Sequence, residues 1–344
     1  MIQPPVRRPV LAMAAGLSAL LLGCRPAVQA PEAQTGRNDR PSVVTTFLPI
    51  TLFTRAVAGD CAEVTALIPA ASGPHDFQAR PGDVAALKNA RVLVKNGLEM
   101  ESFLDKLVKG AENPDLKVID SSSGIPTLEN PEKPAKSHDD HGDDHGHGDD
   151  HGHNDDHAEA GGHDHDHGHD HGPINPHIWL DPVRAAQQVD NIRDGLIAAD
   201  PACADGYRRN AAAFTGQLRQ LNTDFEKQLA PFRGKTFVVL HDFAPYFADR
   251  YGLKAEYLVD VPEQNPSPAD LARVAETVKR TQLKALLSEP QEGNRSFNAL
   301  AGDLGIRISV FNPLETGTEE ASRNPGTYAD VMRRNVTDLV SAFR

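Results

Sequence analysis

Between His138 and Gly172 the chain is made almost wholly of histidine, aspartate and glycine, and no apolar residue recurs there at a helical or strand period. Such a stretch cannot bury a core and is expected to be disordered. The fold must therefore be assembled from the segments on either side, with residues 137–172 as an insert. The insert carries eleven Asp, one Glu and no Lys or Arg. Those twelve acids account for nearly all of the formal net charge of −13, so the remainder is close to neutral. An excess of negative charge confined to one segment attracts cations and excludes nucleic acid as a partner.

On both sides of the insert, short β-branched and apolar runs alternate with helical patterns. Strands are expected over 43–47, 62–68, 91–94 and 116–119, with helices over 52–58, 83–88 and 101–109 between them. Asp181-Pro182 opens a further helix, with Asp as N-cap and Pro at the first helical position. Beyond the insert, Tyr207, Ala211, Phe214, Leu218, Leu221, Phe225 and Leu229 recur every three or four residues. That spacing predicts one amphipathic helix of about 25 residues, about 37 Å long. The alternation then resumes: strands over 235–240, 255–258, 285–288 and 306–311, helices over 244–251, 267–280, 297–304 and 328–343. The fold class is α/β, with two lobes, each a mainly parallel sheet flanked by helices, joined by one long spine helix. The expected organisation is a signal at 1–24, a tether at 25–40, an N-terminal lobe at 41–204, the spine at 205–231 and a C-terminal lobe at 232–344.

The start of the chain reads as an export signal. Arg7 and Arg8 precede a short apolar stretch that ends in Leu21-Leu22-Gly23-Cys24. This resembles a bacterial lipobox, which makes Cys24 the candidate lipidation site and implies an exported, membrane-anchored protein. Two more cysteines remain, Cys61 and Cys203. An oxidising compartment permits a disulfide between them, and two buried thiols are the alternative.

Twelve of the fifteen histidines lie in the insert: His138, His141, His145, His147, His151, His153, His157, His163, His165, His167, His169 and His171. They are candidates for weak, exchangeable metal sites. The other three, His75, His177 and His241, stand apart, each where the chain leaves an apolar run or enters a helix. In open α/β sheets, ligands bind beyond the carboxyl ends of strands. Neutral imidazole is the commonest protein ligand for zinc-like metals. These three are therefore the candidate ligands of one site in the cleft between the lobes. Glu289 and Asn312 also follow expected strands, and Asp242 adjoins His241.

The motifs around these residues carry a family resemblance. Gly73-Pro74-His75-Asp76-Phe77, Asn175-Pro176-His177-Ile178-Trp179-Leu180-Asp181-Pro182, His241-Asp242-Phe243 and Ser288-Glu289-Pro290-Gln291 are similar to segments of the zinc and manganese receptor proteins of bacterial ABC transporters. The resemblance implies an extracytoplasmic, monomeric binding protein that delivers Zn²⁺ to a membrane permease, without catalysis. Histidine at position 241, three imidazoles in all and the His-rich insert favour zinc. Many members of that family carry Asp where this chain has Asn312. The fourth ligand is accordingly expected to be water or another exchangeable group, with the Asn312 carbonyl, Glu289 or a histidine of the insert as alternatives. Asp242 and Glu289 are expected to orient the imidazoles. Competing readings are a manganese- or nickel-type receptor, a three-histidine zinc hydrolase, and a zinc-buffering adhesin. Against the hydrolase, neither an HExxH motif nor a nucleophile elbow is present.

Overall fold

A computed structural model describes residues 40–75, 77–130, 172–290 and 295–344. Cys24 and the twelve insert histidines, together with Asp76, lie outside the described residues. No helix among the described residues is long and apolar enough to cross a membrane.

The first lobe runs β1 (Ser42–Thr45), α1 (Leu48–Ala58), β2 (Glu63–Ala66), α2 (Pro81–Asn89), β3 (Val92–Lys95), α3 (Leu104–Ala111) and β4 (Lys117–Asp120). The helix α4 (Pro182–Ala199) and the spine α5 (Ala204–Leu229) follow. The second lobe runs β5 (Thr236–His241), α6 (Pro245–Tyr251), β6 (Lys254–Val259), α7 (Pro268–Thr281), β7 (Ala285–Ser288), α8 (Arg295–Leu304), β8 (Arg307–Val310), α9 (Glu319–Arg323) and α10 (Thr327–Phe343). The sheets have the same order, β2-β1-β3-β4 and β6-β5-β7-β8, and every pairing is parallel. Helices cover both faces, which is why β5 is buried along its whole length.

Helix starts follow local chemistry. Asp181 caps α4 by accepting a hydrogen bond from Val183 N at 2.9 Å, with Pro182 in the first turn. Ser267 and Asp270 form a reciprocal capping box on α7. The spine is held by packing. All seven of its periodic residues, from Tyr207 to Leu229, are buried, and each large one contributes about 1.5–3 kcal/mol relative to exposure. Their face lies in one apolar cluster with Phe53 and Leu196 of the first lobe and with Phe247 and Met332 of the second, so the two sheets share a core around α5. The start of α1 comes earlier than the pattern predicts, because Pro49 is accommodated in its first turn.

Cys61 and Cys203 are joined by a disulfide, with Cα atoms 6.0 Å apart. It pins the entry to β2 against the residue that precedes α5. The bond leaves no room beside it: a Cβ on Gly206 would lie 2.6 Å from Cys61 Sγ and 2.9 Å from Cys203 Sγ. Reduction is expected to lower stability by about 3–5 kcal/mol, since the closed loop is long. Denaturant midpoints with and without reductant measure this, and coincident curves would show that the bond does not constrain the chain.

Candidate metal centre

His241 is the last residue of β5, at its carboxyl end. His75 lies in the loop after β2. His177 lies just ahead of α4, at the start of a single 3-10 turn, Ile178–Leu180. The structure brings these three side chains together: the ring centroids are 5.4 Å (His177–His241), 5.5 Å (His75–His241) and 6.0 Å (His75–His177) apart. A fourth group joins them, and it is Glu315, which the sequence reading did not single out. Its carboxylate lies 2.9 Å from His177 Nε2, 3.3 Å from His75 Nε2 and 3.3 Å from His241 Nε2. One ligand atom from each of the four residues falls within 4.8 Å of all the others, and all four residues are buried. Zinc–nitrogen bonds of about 2.0–2.1 Å in a tetrahedron set ligand atoms about 3.4 Å apart. The carboxylate–imidazole separations already match that spacing.

Hydrogen bonds fix how the rings face the centre. The Asn175 amide donates to the Asp242 carbonyl at 2.9 Å and to its carboxylate at 3.2 Å. Its oxygen therefore turns to His177 and accepts from the backbone N–H at 3.1 Å and from Nδ1 at 3.0 Å. With Nδ1 turned to Asn175, Nε2 is the nitrogen that faces the centre and Glu315. Glu289 plays the corresponding part for His241, its Oε1 lying 2.5 Å from Nδ1. His241 Nε2 is buried and faces the Glu315 carboxylate at 3.3 Å.

Burial lowers the pKa of His177 to about 4, so this ring is neutral at neutral pH. Burial also opposes charge on His241, but Glu289 and Glu315 outweigh it and hold its pKa well above the ordinary value. Burial alone would raise Glu315; the surrounding histidines hold it well below the usual carboxylate range. A cavity of about 420 Å³ opens onto the cluster, lined among others by His75, Glu263, Glu289 and Glu315.

The other candidates fall around this cluster. Asn312 turns its side-chain oxygen to the backbone N–H of Leu314 at 2.7 Å. Asp242 accepts from Asn175, and Glu289 faces His241 from behind. The fourth group of the cluster is thus a carboxylate three residues beyond Asn312. The available signal was narrow: Glu315 is the one acid between Asn312 and Thr318, in a loop that continues from β8. The segment holding His177 is tied to that loop, because Trp179 Nε1 donates to Pro313 O at 2.8 Å and Tyr328 donates to Trp179 O at 2.7 Å.

Residues 43–342 match the family described as zinc-uptake complex component A, periplasmic. The chain is 31% identical to the zinc-binding lipoprotein AdcA of Streptococcus pneumoniae (strain ATCC BAA-255 / R6) over 307 residues, which are 89% of this chain and 56% of that protein. It thus spans about half the length of the streptococcal relatives it matches. It is 29% identical to the high-affinity zinc uptake system protein ZnuA of Bacillus subtilis (strain 168), over 88% of each chain. The crystal structure of the Zn(II)-bound ZnuA-like domain of Streptococcus pneumoniae AdcA superposes with a TM-score of 0.68 at 29% identity, covering 88% of this chain and 99% of that one. With its matching span, its paired parallel sheets and the cluster between them, this chain belongs to the family of the zinc-uptake complex component A.

Proposed function

We propose that the chain is an extracytoplasmic receptor that captures Zn²⁺ with His75, His177, His241 and Glu315 and delivers it to the membrane permease of an ABC transporter. The observation that carries this reading is the convergence of three imidazoles and one carboxylate, all buried, within 4.8 Å. Imidazole-rich N₃O donor sets suit zinc better than manganese, which takes mostly oxygen ligands. The zinc-binding relatives and the zinc-bound structure of a related domain support the same cargo. A catalytic zinc site keeps an open position for water; here Glu315 supplies the fourth donor, which supports binding and carriage over hydrolysis. The shared core around α5 favours small lobe movements on loading and release. Lipidation at Cys24, a monomeric state and collection of zinc by the insert histidines complete the proposal.

The test is elemental analysis of protein purified without added metal, followed by chelator competition with Zn²⁺ and Mn²⁺. Trp179 serves as reporter. It is the only tryptophan, stands two residues from His177 and is fully buried, with its ring centroid 5.1 Å from that imidazole. Its fluorescence is expected to change with the first zinc equivalent and to stay flat as weaker sites fill. Mn²⁺ bound as tightly as Zn²⁺, or one zinc bound with no Trp179 response, would count against this site as the zinc receptor.

A further inference from the structure

Glu315 is held in place by a chain of hydrogen bonds that begins on the last helix. Asn335, on α10, is 2% exposed. Its side-chain oxygen accepts from the backbone N–H of Asn312 at 2.9 Å, and its side-chain nitrogen donates to the backbone carbonyl of the same residue at 2.8 Å. One planar amide thus satisfies both polar groups of one residue, as a neighbouring strand would. Asn312 passes the constraint on, because its side-chain oxygen accepts from Leu314 N at 2.7 Å. Leu314 is buried and has a positive φ of 66°, a left-handed conformation that strains a branched residue. Such a conformation persists only where its surroundings over-determine it. The next residue is Glu315. Two further bonds tie the same loop to the segments of other ligands: Trp179 Nε1 to Pro313 O at 2.8 Å, and Gly317 N to Ala70 O at 2.7 Å.

We propose that Asn335 is a positioning residue of the metal site, acting through Asn312 and the turn at Leu314 to hold the Glu315 carboxylate against the three histidines. The inference rests on the ligand set of the proposed function. It makes the nature of the fourth ligand, carboxylate or water, depend on a residue outside the ligand cluster. The pattern at residue 312 follows: the amide is needed there as a hydrogen-bond acceptor, which aspartate can also be and alanine cannot.

The experiment is a zinc-affinity cycle by chelator competition on the full chain, with Asn335→Ala and Glu315→Ala singly and together. Asn335→Ala is expected to weaken zinc binding about 10- to 100-fold, the usual effect of losing a group that orients a ligand. In the Glu315→Ala background it is expected to add nothing, because the group it positions is gone. Asn312→Ala is expected to reproduce the loss and Asn312→Asp to recover most of it. With Co²⁺ in place of zinc, the visible spectrum of Asn335→Ala is expected to resemble that of Glu315→Ala. An equal loss in both backgrounds would overturn the proposal, as would Asn312→Asp being as damaging as Asn312→Ala. If Asn335→Ala does not fold, Asn312→Ala carries the same cycle. Full affinity in Glu315→Ala would instead overturn the ligand set itself, and this inference with it.

Discussion

Glu315→Ala is expected to weaken the tightest zinc site by about two to three orders of magnitude. The side chain supplies the only carboxylate of the cluster and touches all three imidazoles at 2.9–3.3 Å. Removing one partner of a buried charge interaction costs about 3–5 kcal/mol, and every 1.4 kcal/mol or so is a factor of ten in affinity. Alanine at His75, His177 or His241 is expected to be comparably damaging, since each removes a donor that no neighbour can replace. Glu289→Gln should cost less, about 10- to 100-fold, because it leaves the donor set intact and acts on the orientation and charge of His241. Competition against a chelator of known affinity ranks these variants. If Glu315→Ala ranked with or above Glu289→Gln, the carboxylate would not be a ligand, and water, the fourth group expected from the sequence, would take its place.

The architecture was legible because it rests on periodic signals. The spacing from Tyr207 to Leu229 is a helical stripe that only a long buried helix satisfies, and α5 has that extent. Strand alternation on both sides of it gave two parallel sheets. The histidines were legible because they are rare outside the insert, so three isolated ones at strand ends and helix starts stood out. Glu315 did not stand out. It is one acid among many, in a loop with no period, and a loop's register is set by long-range hydrogen bonds such as Asn335 to Asn312. Asn312 lies just beyond a strand, the position at which a cleft residue is expected. Its side chain is instead spent on the turn that presents Glu315. Position after a strand locates a cleft, but it does not say which loop side chain turns inward. The partners of Trp179 were equally hidden, since Pro313 and Tyr328 lie more than a hundred residues away in sequence.

Zinc affinity is expected to fall about tenfold for each unit of pH lowered through the neutral range, because binding releases one proton. The proton sits on His241. In the metal-free site Glu289 and Glu315 hold its pKa well above the ordinary value despite burial, so the ring is an imidazolium at neutral pH. Nδ1 keeps its hydrogen toward Glu289, and the proton on Nε2 must leave before that nitrogen can bind zinc. Protonated His241 predominates below its raised pKa, so the competition strengthens as pH falls and ends only as pH rises through that value. His177 adds nothing near neutrality, since burial lowers its pKa to about 4. The same proton stabilises the metal-free fold: the contribution is complete below the unfolded histidine value of about 6.5 and is lost as pH rises through the raised folded value. Glu289→Gln, which removes one of the two charges that sustain the imidazolium, should flatten that slope. Calorimetric titration in buffers of different ionisation enthalpy counts the released proton directly. An enthalpy independent of buffer would mean that His241 already offers zinc a neutral ring, and the charge balance drawn for the site would be wrong.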